Sequence, residues 1–225
     1  RFVSLGSLIE STPSRIQRIA IARQFALDQI RQEVGPDDIV IVVDSDGVTR
    51  GLSRNDLSRA IKLLSDYSVI TANSTRRYYD VLALRAPGWV DEDYRVTRSR
   101  LLMEGKSFAL AHFQTLIRKQ KKIFGNNAIE VDSAFGGMAI YKGSAYVCSD
   151  YKIASGSECE HVHFHRIIRE KGHRVCIDPR LRVKAERKHT LLANSFFRPI
   201  WLVLIRLPIG LSNFLLKPAL ARESR

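Results

Sequence analysis

Cysteine is scarce in this chain: Cys148, Cys159 and Cys176 are the only three, with no CxxC spacing among them. An odd, widely spaced set excludes a disulfide framework and a thiolate zinc site, and it fits a reducing cytoplasm. No thiol has an activating neighbour in sequence, so cysteine nucleophilic catalysis is not expected. Long apolar runs are missing as well. Between Phe196 and Leu216 the chain is strongly apolar, but Arg198, Pro199, Arg206 and Pro208 break it. The unbroken stretches fall short of the roughly 20 residues a membrane-spanning helix needs. There is no internal repeat, no low-complexity linker and no Gly-rich phosphate loop near the start. No nucleic-acid-binding motif is recognisable, so nucleic acid is not an expected partner.

What is abundant is positive charge. Thirty-six Lys and Arg face 23 Asp and Glu, a net +13 over 225 residues. From Arg180 onward ten basic residues face Glu186 and Glu223, so this stretch carries eight of the thirteen charges and the body five. A basic and apolar end reads as short amphipathic helices on an anionic membrane surface, the alternative being a helix packed on the body or in an oligomer contact. The expected organisation is a catalytic domain over 1–190 and a membrane-associating tail over 191–225, peripheral at the inner face of the cell membrane.

Hydrophobic periodicity predicts alternating helices and strands. Thr12-Pro13-Ser14 reads as a helix start, and Ile16, Ile19, Ala20, Leu27 and Ile30 recur at helical spacing before Gly35-Pro36. Ile39 to Val43 is a β-branched run typical of a buried strand in a parallel sheet. Leu57–Leu64 predicts a helix, Tyr67–Ala72 and Val81–Leu84 strands, and Arg98–Phe124 a long helical stretch. Strands follow at Ile129–Val131, near Met138–Tyr141 and at Val175–Ile177, with a helix over Ser157–Gly172. The order defines an α/β layered domain.

The β-branched run ends in Asp44-Ser45-Asp46-Gly47. Two carboxylates at the carboxyl end of a strand stand where open α/β sheets bind ligands. Side by side they repel unless a cation sits between them, and Mg²⁺ or Mn²⁺ suits such oxygen donors and a diphosphate alike. The bland alternative is a polar turn, for which Asp and Gly are ordinary residues.

Several segments together resemble the GT-A-fold nucleotide-sugar glycosyltransferases, in particular capsule-type mannosyltransferases. Ile39–Val48 is similar to their metal-binding strand end, and Arg15–Arg23 to the Arg-rich helix before it. Tyr79–Arg85 resembles their Tyr-Asp-x-x-Ala-x-Arg stretch. Asp132–Tyr141 and Glu158–His161 resemble the acceptor-side turn and acidic helix start, and Ile177–Leu181 the closing strand. The likeness covers roughly residues 12 to 190. It implies a GT-A-like, Rossmann-related fold with a mixed, mainly parallel sheet flanked by helices. Only 43 residues precede Asp44, so it also implies that the family's first nucleotide-binding unit is incomplete here.

The resemblance implies a role for each motif. Asp44 and Asp46 would bind the metal with His189 as third ligand, and one or two of Arg15, Arg18 and Arg23 would reach the donor phosphates, against a solvated basic face. Asp80 and Arg85 would orient the donor, or pair with each other structurally. Gly136 and Gly137 would admit a sugar close to the backbone, or form a plain turn. Glu160, ahead of Glu158, would act as base on the acceptor hydroxyl, or serve only to cap its helix. His161, His163 and His165 do not share one helix face, so a three-His site is not expected. Trp89 would stack on a sugar or anchor packing. The expected activity is metal-dependent sugar transfer from a nucleoside-diphosphate sugar to a hydroxyl of a surface glycan or lipid-linked saccharide. The rival readings are a nucleotidyltransferase on a similar fold and a non-catalytic membrane- or polyanion-binding protein with a degenerate transferase fold.

Overall fold

The first amphipathic segment forms helix α1, Arg15–Ile30, which buries Ile16, Ala20 and Leu27. A computed structural model describes residues 3–45, 47–152, 158–184, 200, 203–211 and 214. Ser14, rather than Thr12, caps α1, its hydroxyl accepting from the Gln17 amide at 3.5 Å. The β-branched run is strand β1, Ile39–Val43. Helix α2, Arg54–Lys62, starts with a reciprocal Ser53–Asp56 capping box and leads to strand β2, Val69–Ser74, buried along its whole length.

Two segments depart from the sequence expectation. Val81–Leu84 is a turn rather than a strand, because the Asp80 carboxylate accepts from the Ala83 amide at 3.4 Å and the Val81 amide donates to the Tyr79 carbonyl at 2.9 Å. The long helix expected over Arg98–Phe124 is divided. Helix α3, Tyr94–Met103, ends before Gly105, whose φ of 78° closes it. Ser107 then caps a short α4, Phe108–His112, which runs into a π-turn at Phe113–Ile117. Strand β3, Ile129–Val131, strand β4, Met138–Lys142, and a short helix α5, Gly143–Val147, follow. Helix α6, Glu160–Glu170, starts after Cys159, with no side-chain cap; Ser157, expected there, lies outside the described residues. Strand β5, Val175–Val183, is longer than expected and kinks where its register against β2 shifts.

The five strands make one mixed sheet in the order β1-β4-β2-β5-β3. Only β2–β5 is parallel; β1–β4, β2–β4 and β3–β5 are antiparallel, which corrects the expectation of a mainly parallel sheet. One face packs Val69, Ala139, Tyr141, Val175 and Ile177 against α1 and α6 through Leu27, Phe164 and Ile168. The opposite face packs Ile70, Met138, Ile140 and Cys176 against Ala60 and Leu64 on the α2 side. Fully burying side chains of this size contributes about 1.5–3 kcal/mol each.

Strand β1 is the second correction. It is not interior: it lies at one end of the sheet, and Ile39, Ile41 and Val43 remain 45%, 39% and 41% exposed. These residues align with Lys142, Ile140 and Met138, on the face α2 covers further along. Only Val40 and Val42, on the α1 side, pack against the core. A β-branched run thus records strand propensity and not depth.

Among the described residues, no helix is long and apolar enough to cross a membrane. Leu204 and Ile205, like Phe113, pack against Ala109 and Ile117, so part of the basic tail region lies on the α4 segment.

Candidate functional site

Strands β1 and β2 both pair antiparallel with β4, and β2 runs parallel to β5, so β1, β2 and β5 end at the same sheet edge. Asp44 follows β1 there, its amide donating to the Gly137 carbonyl at 2.9 Å. The Gly136-Gly137 turn feeds β4, and both glycines take left-handed φ values, 67° and 90°. A Cβ on Gly136 would lie 2.2 Å from the Ala72 carbonyl oxygen, and one on Gly137 would lie 2.7 Å from the Tyr79 hydroxyl. Packing and backbone conformation both demand glycine here.

Arg23, from the middle of α1, reaches over this edge. One terminal nitrogen donates to Asp44 Oδ1 at 2.8 Å. The other makes short contacts to Glu160 Oε1 and His161 Nε2. The guanidinium carbon lies 4.8 Å from the centroid of the Phe135 ring, which itself stacks on His161. One arginine therefore joins the end of β1, the turn before β4 and the start of α6. Burial acts to lower its pKa, but Glu160, Tyr151 and Asp44 outweigh that, and Arg23 stays firmly cationic. Only 17% of the Arg23 side chain and 6% of that of Glu160 meet solvent, against 39% for Asp44. Ion pairs this enclosed gain more Coulomb energy than surface pairs, provided both partners stay satisfied.

Asp80 sits beneath the same turn. Its Oδ2 accepts from the Gly136 amide at 3.0 Å and its Oδ1 from the Ala83 amide. Enclosure by protein pushes its pKa up to about 6, with the charges of Asp44 and Glu160 adding to the rise. Three carboxylates therefore gather near this turn, and two of them, Asp44 and Glu160, hold the Arg23 guanidinium. His161 is buried and neutral, because enclosure and the Arg23 charge hold its pKa well below the ordinary value. The Arg23 contact uses Nε2, and Nδ1 has no hydrogen-bond partner. His165, behind it, lies between the Tyr141 hydroxyl at 3.1 Å and the Ser133 hydroxyl at 3.0 Å, and burial lowers its pKa to about 3.

Of the residues singled out in the sequence, Arg23, Asp44, Asp80, Gly136, Gly137 and Glu160 converge. Others do not. Arg15 is exposed, and Arg18 turns back to the Thr12 and Pro13 carbonyls at 2.8 and 2.5 Å. Glu158 forms an outward bidentate pair with Arg166 at 2.9 and 3.1 Å. Arg85 does not pair with Asp80; it lies 3.7 Å from Asp93 and donates to the Leu82 and Leu84 carbonyls. Trp89 is a packing anchor, its indole donating to the Lys119 carbonyl at 2.8 Å and meeting Tyr78 edge-on. Asp46 and His189 lie outside the described residues. Sequence reasoning missed Phe135 as the platform under Arg23 and His161 as its third partner. Their only sequence signals are the aromatic before Gly136-Gly137 and the His beside Glu160.

Carboxylate oxygens are the donors a hard divalent cation takes, and half-exposed Asp44 offers that chemistry. Among the described residues, no group of three or more His, Cys, Asp or Glu side chains is arranged to hold a metal ion. In comparisons with known proteins, neither a family model nor a curated protein sequence matches the chain.

Proposed function

We propose that this protein is a glycosyltransferase of GT-A type that moves a sugar from a nucleoside-diphosphate sugar to a hydroxyl acceptor. The observation that carries the reading is the meeting of Asp44, at a strand's carboxyl end, with Glu160, at a helix start, across Arg23. In this reading Asp44, with Asp46, binds Mn²⁺ or Mg²⁺ together with the donor diphosphate. The metal would supply Lewis-acid neutralisation of the departing diphosphate. Glu160 is the carboxylate that receives the acceptor hydroxyl's proton. It stands in the first turn of α6, where the helix dipole favours negative charge.

The acceptor is a surface glycan or lipid-linked saccharide met at an anionic membrane surface. Support for the membrane comes from the basic tail and from exposed apolar side chains on it: Val203, Ile209, Leu211 and Phe214.

The deciding experiment incubates the full chain with Mn²⁺ and a panel of nucleoside-diphosphate sugars, and identifies the nucleotide released. Release of nucleoside diphosphate, lost with EDTA, supports sugar transfer. Release of pyrophosphate from a nucleoside triphosphate and a sugar phosphate would instead make the protein a nucleotidyltransferase.

A further inference from the structure

A single guanidinium stands between Asp44 and Glu160, the position in which a bound cation would neutralise both. Its anchorage is stronger than a surface pair requires. Arg23 is clamped by two carboxylates, by His161 Nε2 and by the face of Phe135, and it is mostly enclosed. A divalent cation arriving at Asp44 therefore meets an oxygen already held at 2.8 Å by a fixed positive charge. Two cations sharing one carboxylate repel, and the repulsion is greater where water is partly excluded.

We infer that Arg23 is a tethered counter-ion that competes with the divalent cation for Asp44, so that metal loading requires the guanidinium to give up that contact. The inference rests on the cation-binding reading of Asp44 given above. It goes further by assigning Arg23 to the carboxylates, where the sequence resemblance assigned it to the donor phosphates. When the cation takes Asp44, Arg23 keeps Glu160 and His161, and its second terminal nitrogen turns toward the anion that accompanies the metal. Arg23 would then set the order of events: the metal binds weakly alone and tightly with a diphosphate, because the anion offers the displaced guanidinium a new partner.

The test measures Mn²⁺ affinity on the full chain by electron paramagnetic resonance, with Mn²⁺ alone as the probe, in wild type, Arg23→Gln and Arg23→Lys. Removing the charge in Arg23→Gln should tighten Mn²⁺ binding on the order of tenfold, since a unit charge a few ångströms away is worth at least that at an effective dielectric near 20. Arg23→Lys keeps the charge but cannot bridge both carboxylates, and should tighten binding about threefold. If Arg23→Gln does not fold, the lysine variant decides alone. The gain should disappear in Arg23→Gln combined with Asp44→Asn, which ties it to this carboxylate.

Unchanged or weaker Mn²⁺ binding in a folded variant, with wild type binding normally, overturns the counter-ion inference and leaves the cation site standing. Binding by the variants but not by wild type supports the inference in its strongest form. Absence of binding in all three overturns both readings.

Discussion

Phe135 and His161 lie ring to ring, 3.8 Å between centroids and 21° from coplanar, and Arg23 contacts both. The guanidinium thus has a hydrocarbon floor and a neutral imidazole wall. Phe135→Leu keeps most of the volume but removes the π-face. Loss of the ring contacts should cost about 1–2 kcal/mol, read by urea denaturation, and a loss below a few tenths would show that Arg23 does not depend on the ring.

Asp44 is half-exposed, so its neutral variant should fold. Asp44→Asn should lower metal-dependent turnover by about 100-fold or more, the scale seen when a preorganised charge contact is removed. Its thermal midpoint should stay within a few degrees of wild type. Full turnover by a folded Asp44→Asn protein would end the sugar-transfer reading.

Gly136 combines a φ of 67° with a carbonyl oxygen 2.2 Å from where a Cβ would stand. Gly136→Ala should destabilise the protein by about 3 kcal/mol or more, adding backbone strain to overpacking. A soluble variant with wild-type urea midpoint would mean the turn is looser than its geometry indicates.

Two buried groups set opposing pH dependences. His165 is neutral in the fold, with its pKa lowered to about 3, while the unfolded chain takes up a proton below about 6.5. Its contribution is therefore complete above that pH and is lost progressively as pH falls toward 3. His161 acts in the same sense. Asp80, raised to about 6, holds its proton in the fold after the unfolded chain has lost it. Its contribution is largest below about 4 and is lost as pH rises through 6. Two histidines outweigh one carboxyl, so unfolding free energy should drop by about 2 kcal/mol from pH 7 to pH 5. Asp80→Asn should steepen that drop and His165→Gln should flatten it, and parallel curves for all three proteins would contradict the assignment.

The tail region makes a separate prediction. Full-length protein should co-sediment with vesicles containing phosphatidylglycerol, less so at high salt and little with neutral lipid. Ile209→Asp, at a side chain 52% exposed, should weaken that binding by about tenfold without changing the fold. Equal sedimentation with neutral vesicles would remove electrostatics from the account.

Much of this architecture was legible in the chain because it is locally encoded. Helical spacing gave α1, and the β-branched run gave β1. Asp44 could be placed at a strand end and Glu160 at a helix start from neighbours a few residues away. What could not be read is contact over distance. Arg23 and Glu160 are 137 positions apart; helical spacing sets Arg23 on a different face from Arg15 and Arg18, but it does not say what that face meets. Depth was misjudged for a related reason: residues 39–43 look interior whether or not anything covers them. The split after α3 was missed because Gly105 and Ser107 sit inside a stretch otherwise rich in helix formers.

The half-clad strand β1 has a consequence for the behaviour of the purified protein. Its rim carries three adjacent bulky side chains and contains no lysine or proline, the devices by which sheet margins usually discourage sticking. What opposes the approach of two such margins is the like net charge of the two copies, +13 each. Added salt screens that repulsion and leaves the hydrophobic attraction intact. Concentrated samples should therefore cloud as ionic strength rises and clear again on dilution of the salt.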